Sequence, residues 1–407
     1  MRKLLLTICI LVNLNSEAQF LLPLQHDTAL INQEIICHGN ADYSFSSVRN
    51  DVGKKLIYGG YIDDAMKGFS FDKHKGINRL GIEAGAEIEY RNYQVNVLKK
   101  QRGILLKMGY GNFGSMLYSK DLFGLIFYGN DQYVGSTADF SGSRFRFMSF
   151  QKIGFGFIDK KSKSNISLNF YSISRFLAGN IYEGQLFQSA ENDSINLLLS
   201  GEMNVSKSYP FIKGIGIGID FDYRFPFEIK ENSLAYFQIT GRNLGLSYLP
   251  SSVTQYAVDS NYVYEGFTFN ELFGNVSDFS NGTNILDTLN IAKSDAGGIV
   301  LLPGFIQVGK IIDETNKSRF QSFFGMRMYT SLAYSPFLFA GAQWRISDAY
   351  RMGVNASYGG YTGIRIGWYS SILIKKFSIG IGTEDVIGTV SNFGRGQSLQ
   401  LRLRCGL

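Results

Sequence analysis

From Leu80 to Tyr90 apolar and polar residues alternate without a break. Leu80, Ile82, Ala84, Ala86, Ile88 and Tyr90 interleave with Gly81, Glu83, Gly85, Glu87 and Glu89. A helix would repeat near 3.6 residues, so a period of two held this long predicts a strand with one apolar and one acidic face.

The pattern returns along most of the chain. Ile215, Ile217, Ile219, Phe221 and Tyr223 alternate with Gly214, Gly216, Gly218, Asp220 and Asp222. Met352, Val354, Ala356 and Tyr358 repeat it, as do Ile364, Ile366 and Trp368 around Arg365 and Gly367, and Phe377, Ile379 and Ile381 around Ser378 and Gly380. The chain ends on Leu399, Leu401, Leu403, Cys405 and Leu407 against Ser398, Gln400, Arg402, Arg404 and Gly406. Short polar runs, Asp159 to Lys163, Asp313 to Ser318 and Ser347 to Tyr350, have the composition of hairpin turns.

Two architectures use such strands. A soluble sandwich buries its apolar faces against each other in domains of about 100–250 residues, whereas a continuous meander over most of 407 residues suits one large closed sheet. Composition favours the second. The chain has 33 Phe, 24 Tyr and 46 Gly, and its polar phase is mostly Gly, Ser and Asn with isolated charges, as a crowded lumen requires. The expected fold is therefore all-β, a transmembrane antiparallel β-barrel of about 14 strands, within a range of about 12 to 16.

The start of the chain reads as an address. Met1-Arg2-Lys3 is positive, Leu4 to Leu14 is apolar apart from Thr7 and Asn13, and Ser16-Glu17-Ala18 is a small-x-small cleavage site. Residues 1–18 are thus expected to be a secretory signal peptide, too short for a spanning helix of about 20 residues. The barrel is then 19–407, located in the cell outer membrane. Two stretches lack sustained periodicity: 19–50, a possible plug or periplasmic segment, and 248–298, rich in Ser, Asn, Asp and Gly and expected to be a long loop.

Charge and motifs exclude more than they assign. Forty Lys and Arg against 34 Asp and Glu, evenly spread, do not make a nucleic-acid footprint. His26, His38 and His74 lack metal-ligand spacing and are expected at the surface, with no metal and no cofactor. Gly214 to Gly218 lies inside a strand with no helix after it, which excludes a dinucleotide loop and leaves glycines that make room in the lumen. No catalytic set is visible and no enzyme is expected. After processing, Cys37 and Cys405 remain; a bridge between the two chain ends is conceivable, but two separate thiols are favoured.

The distinctive feature is the inward charge. Glu83, Glu87 and Glu89 come from an early strand, and Arg327, Arg365, Arg402 and Arg404 from the last quarter. Closure of the barrel is expected to bring the glutamates against Arg402 and Arg404 across a seam, either as neutralising struts or as the walls of a polarised pore.

The runs Ser119-Lys120-Asp121-Leu122-Phe123-Gly124-Leu125-Ile126-Phe127-Tyr128-Gly129-Asn130, Gly241-Arg242-Asn243-Leu244-Gly245-Leu246 and Leu302-Pro303-Gly304-Phe305-Ile306-Gln307-Val308-Gly309 carry a resemblance, as does the segment from Phe377 to Leu407. Over about residues 80–407 the chain resembles an uncharacterised Bacteroidota outer-membrane β-barrel family, a domain of unknown function. That family belongs to the broad group of fatty-acid-transporter-like and gliding or secretion-associated barrels. The resemblance implies an outer-membrane barrel and brings no catalytic residues. It does not extend to residues 19–50, and the chain ends on Leu407 where many barrels end on an aromatic residue.

The function expected is passage or presentation of a hydrophobic or small polar solute. The alternative is a non-conducting barrel subunit of an outer-membrane secretion or assembly complex. Expected partners are outer-membrane lipid and other outer-membrane or periplasmic proteins.

Overall fold

The computed structural model describes residues 22–24, 31–95, 102–191, 193–209, 211–230, 233–264, 291–313, 316, 318–331 and 333–407. The expected signal peptide, 1–18, and His26 lie outside them. Seventeen strand segments form one antiparallel sheet: β1 (Gln33–Phe45), β2 (Ile77–Asn92), β3 (Arg102–Ser119), β4 (Ser136–Asp139), β5 (Arg144–Asp159), β6 (Asn165–Gln188), β7 (Ile195–Ser206), β8 (Gly214–Lys230), β9 (Ser233–Tyr264), β10 (Ala292–Leu301), β11 (Phe305–Ile311), β12 (Phe320–Tyr329), β13 (Ser335–Arg345), β14 (Tyr350–Gly360), β15 (Arg365–Ile374), β16 (Phe377–Thr383) and β17 (Gly396–Gly406). The sheet closes on itself, because β1 pairs with β2 on one side and with β17 on the other. Closure satisfies every edge, which is what lets backbone polar groups cross a bilayer.

Three wall positions are each built from two segments laid end to end. β4 and β5 both pair with β6, β7 and β8 both lie between β6 and β9, and β10 and β11 both pair with β9. Among the described residues the seventeen segments therefore fill fourteen places around the barrel.

The polarity is inside out. Along β8, Ile215, Ile217 and Ile219 are exposed on the outer face, Ile217 to 50%, whereas Asp220 on the inner face is fully buried. Ile153, Phe155, Ile166, Leu168 and Phe170 on β5 and β6 repeat this, beside buried Lys152, Ser167 and Asn169. Only a solvent of lipid makes such a surface favourable, so the protein is a transmembrane β-barrel, not a sandwich.

One end has the tight turns, as after β8 and β15, together with both ends of the barrel sheet. The other carries the longer connections. Residues between β1 and β2 form helices α1 (Asn50–Tyr58) and α2 (Asp64–Phe71), and α3 (Lys120–Tyr128) follows β3. Ser119 and Asp63 cap α3 and α2 by accepting from the amides of Leu122 and Met66. Val52, Phe123 and Phe71 pack with Tyr43, Phe45, Leu80 and Ile82, so the three helices form a collar on the β1–β3 side.

Two expectations about irregular segments need correction. Residues 33–45 are not a plug or a periplasmic segment but β1, a wall strand whose alternation is blurred because apolar Ile36 falls in the inward phase and Gly39 dilutes the outward one. Leu22 to Leu24 do lie inside, against Phe323, Phe337, Phe339 and Tyr369, where Gly380 and Gly382 leave them room. The expected loop at 248–298 is strand at both ends: β9 runs on to Tyr264 and β10 begins at Ala292, with 265–290 outside the described residues. Its polar sequence reflects strands rising beyond the apolar belt.

Candidate functional site

The inner face of the wall is crowded. Gly81 has Tyr361 lying on it so closely that a Cβ would fall 2.1 Å from the ring, and a Cβ on Gly218 would meet the Tyr171 ring at 3.2 Å. The glycines of the polar phase are there to admit large side chains from across the lumen.

An ion-paired band crosses the interior. Lys152 on β5 lies 2.6 Å from Glu87 on β2 and 3.2 Å from Asp220 on β8. Lys107 on β3 is 3.2 Å from Asp220 and 3.5 Å from Glu89. From Glu89 the pairing runs to Arg91 at 2.5 Å, then to Glu34 on β1 at 3.5 Å, then to Arg404 on β17 at 2.5 Å. Asp222 holds Arg242 at 2.5 Å and also accepts from Thr240 and Gln238, both at 2.7 Å. Asn243 sits at the centre with a left-handed φ of 50°, its amide donating to Asp220 and its carbonyl oxygen accepting from Lys152 and Tyr171. These pairs join five carboxylates to five cations, so the band is electrically balanced.

A second polar cluster lies closer to the loop end. Arg365 on β15 contacts Asp42 on β1 at 2.8 Å, and Glu384 and Asp385 at 3.8 and 3.7 Å. Glu83 accepts from Tyr329 at 2.7 Å and from Asn40 at 3.3 Å. Arg327 donates to Gln307 and lies over the Phe305 ring, 4.7 Å from its centroid.

All seven residues singled out by sequence thus sit in two polar layers of the interior, but β1 interrupts the expected direct seam between the early glutamates and the last strand. β1 stands between β2 and β17, so no glutamate of β2 is a wall neighbour of Arg402 or Arg404. Arg404 meets Glu34 instead, and Glu87 meets the lysines of β3 and β5. Arg402 faces a small cavity that also borders His38, Glu87, Glu89 and Arg242. The error follows from taking β1 for a plug; with β1 in the wall, its own Glu34 and Asp42 are the acids that the late arginines reach. Lys107, Lys152 and Asp220 went unread as site residues, although each lies in the polar phase of an alternating run. Histidine 74 is likewise buried and not at the surface. Cys37 and Cys405 sit on paired strands, two register positions apart, and are not bridged.

Above the band the lumen changes character. Met148, Phe150, Tyr171, Ile173 and Leu302 form an apolar floor. Over it opens a vestibule of about 670 Å³ bordered by Phe145, Phe176, Leu249, Val253 and Val300, with Arg144, Arg146 and Glu202 at its rim. Below, cavities of about 120 and 40 Å³ lie in these polar layers among the described residues. The vestibule also meets a break in the wall. β6 pairs with β8 up to Ile173 and with β7 only from Leu177, and β9 pairs with β8 up to Tyr248 and with β7 from Val253. Of the residues between β7 and β8, Tyr209, Phe211 and Ile212 are exposed outside the sheet, and the Lys213 amide still donates to the Ile173 carbonyl.

These features define a transmembrane barrel with a filled waist and an apolar chamber at its loop end. No protein-family model matches the chain, and no curated protein matches it. Among solved structures it is similar to a deltaS2S3 mutant of the TodX monoaromatic hydrocarbon channel, at 8% identity over 93% of this chain and 91% of that chain, with a TM-score of 0.41. It is also similar to the Pseudomonas putida toluene transporter TodX, at 8% identity over 92% and 87%, TM-score 0.35. A third is the translocator domain of the autotransporter NalP from Neisseria meningitidis, at 9% identity over 94% and 91%, TM-score 0.31. The likeness is weak and extends to barrel architecture alone.

Proposed function

We propose that this is an outer-membrane barrel, exported by cleavage after Ala18, that takes a small hydrophobic solute into its vestibule and exchanges it sideways through the wall break at 207–213. The carrying observation is the position of the chamber: about 670 Å³, with an apolar side closed below by the packed floor and with Phe176, Leu249 and Val253 of its border flanking the break. A volume of this size suits a small organic molecule. Ion pairing of Glu87, Glu89 and Arg404 within the band favours the strut reading of these inward charges, while Arg224, Lys310 and Arg402 give the adjoining cavity a positive lining.

Binding of a small aromatic fluorophore to the purified barrel in detergent tests the reading. Val253→Trp, which fills the chamber, should weaken binding about tenfold or more, as loss of a buried apolar contact surface does. Equal binding by this variant would reject the chamber as the site.

A second reading, the sealed subunit of a larger complex, is favoured by the collar, which leaves Tyr58, Tyr61 and Phe69 exposed at the loop end. Co-purification of a stoichiometric partner lost on Tyr61→Glu would support it over solute exchange.

A further inference from the structure

On the opposite side of the barrel from the wall break, strand pairing also fails. β16 pairs with β15 only from Trp368 onward and with β17 only from Gln400 onward, so its place at the loop end is empty of strand. The short helix α4 (Val386–Val390) and residues 391–395 fill it. Asn50, the first residue of α1 and fully buried, donates to the carbonyls of Gly388 at 2.7 Å and Gly396 at 2.8 Å, fixing α4 to the collar.

Between α1 and α4, on the outer face of the wall, runs an apolar groove of about 930 Å³. Ile366, Trp368 and Leu399 are its floor, and Ile57, Ile387 and Val390 its sides. A smooth wall lets lipid chains slide past, whereas a walled groove confines them.

The loop-end rim of the groove carries a cation. Lys54, one helical turn before Ile57 on the same face of α1, reaches Asn392 at 2.9 Å, two residues from Val390, and so spans the two sides of the groove. Among the described residues it has no carboxylate partner, and the nearby Asp51 is held by Arg49 at 2.7 Å. An apolar trough in the membrane beneath an unneutralised cation at the interface has the polarity of an anionic amphiphile.

We infer that the groove binds a phosphate-bearing lipid of the surrounding leaflet, its chains against Trp368 and its phosphate at Lys54. This site is separate from the vestibule and stands or falls without it.

The chain's two tryptophans, Trp344 and Trp368, allow a direct test. The full barrel carrying Trp344→Phe is placed in phosphatidylcholine vesicles containing a minor fraction of brominated-chain phosphatidylglycerol, or the same fraction of brominated phosphatidylcholine. The anionic lipid should show an apparent affinity for the Trp368 site about fivefold above that of the zwitterionic one, the effect expected of roughly one surface cation. Lys54→Gln should abolish that preference while quenching by brominated phosphatidylcholine stays unchanged, which also reports that the groove is intact. Equal quenching by the two lipids, or a preference that survives the substitution, would overturn the inference.

Discussion

Lys152 on β5 and Glu87 on β2 meet at 2.6 Å across β3, which separates their strands in the wall. Both side chains are buried, and the same ammonium lies 3.2 Å from Asp220 on β8. One cation therefore ties together parts of the barrel that the strand ladder alone leaves apart. Lys152→Ala leaves Glu87 and Asp220 short of a counter-charge in a low-dielectric interior. Urea unfolding in lipid should show a loss of about 3–5 kcal/mol, the cost of breaking a buried pair. Adding Glu87→Gln should recover part of it; a loss below that of an exposed pair, about 0–1 kcal/mol, would mean the band is hydrated.

Closure of the barrel depends on a different pair. Arg404 and Glu34 join the last strand to the first at 2.5 Å. A double-mutant cycle on Arg404→Ala and Glu34→Gln should give a coupling energy of about 1 kcal/mol or more, whereas Arg404 with Glu87 should give a value near zero. The reverse ranking would place β2 beside β17.

The outer face should respond to depth. Ile217, central on β8, should cost about 2–4 kcal/mol when changed to Arg, and Ile364, beyond the start of β15, only about 0–1 kcal/mol. Equal costs in the same unfolding assay would contradict the membrane position of the wall. Arg365, beside Ile364, is no neutral control: it is buried and its removal would take the counter-charge from half-buried Asp42.

The collar should loosen in acid. His74 has Nδ1 2.7 Å from the Ser70 carbonyl and Nε2 3.1 Å from the Tyr118 hydroxyl, with its ring 4.1 Å from that of Phe123. A carbonyl only accepts, so Nδ1 carries the proton and the neutral ring accepts from Tyr118. Burial, aided by nearby Lys120, brings its pKa down to about 4. The unfolded collar takes up a proton near pH 6.5 and the folded one does not, so stability is full above about 6.5 and falls as pH drops toward 4. Amide exchange in α2 should accelerate over that window, and His74→Gln should flatten the response. Acceleration of equal size in the variant would assign it to another group.

Much of the wall was legible because lipid outside and a packed lumen inside impose opposite polarity on successive residues. Leu80 to Tyr90 and Gly214 to Tyr223 could be assigned to faces from that rule alone. β1 was not, since Ile36 in its inward phase and Gly39 in its outward one break the alternation and its neighbours lie at both extremes of the sequence. The ion-paired band was half legible for a related reason. Alternation tells which way Lys107, Lys152 and Asp220 point, but which charges meet depends on strand order and stagger. The vestibule left no local signal, because its border is assembled from separate strands and the breaks between paired segments.

The central claim is that the waist of the barrel is closed. Single-channel recording of the purified full-length protein in a planar bilayer tests it most directly. The filled lumen predicts no stable open level in the wild type at moderate voltage. Steady ohmic steps of porin size, reproducible from one insertion to the next, would show a continuous aqueous path through the ion-paired band and contradict the account.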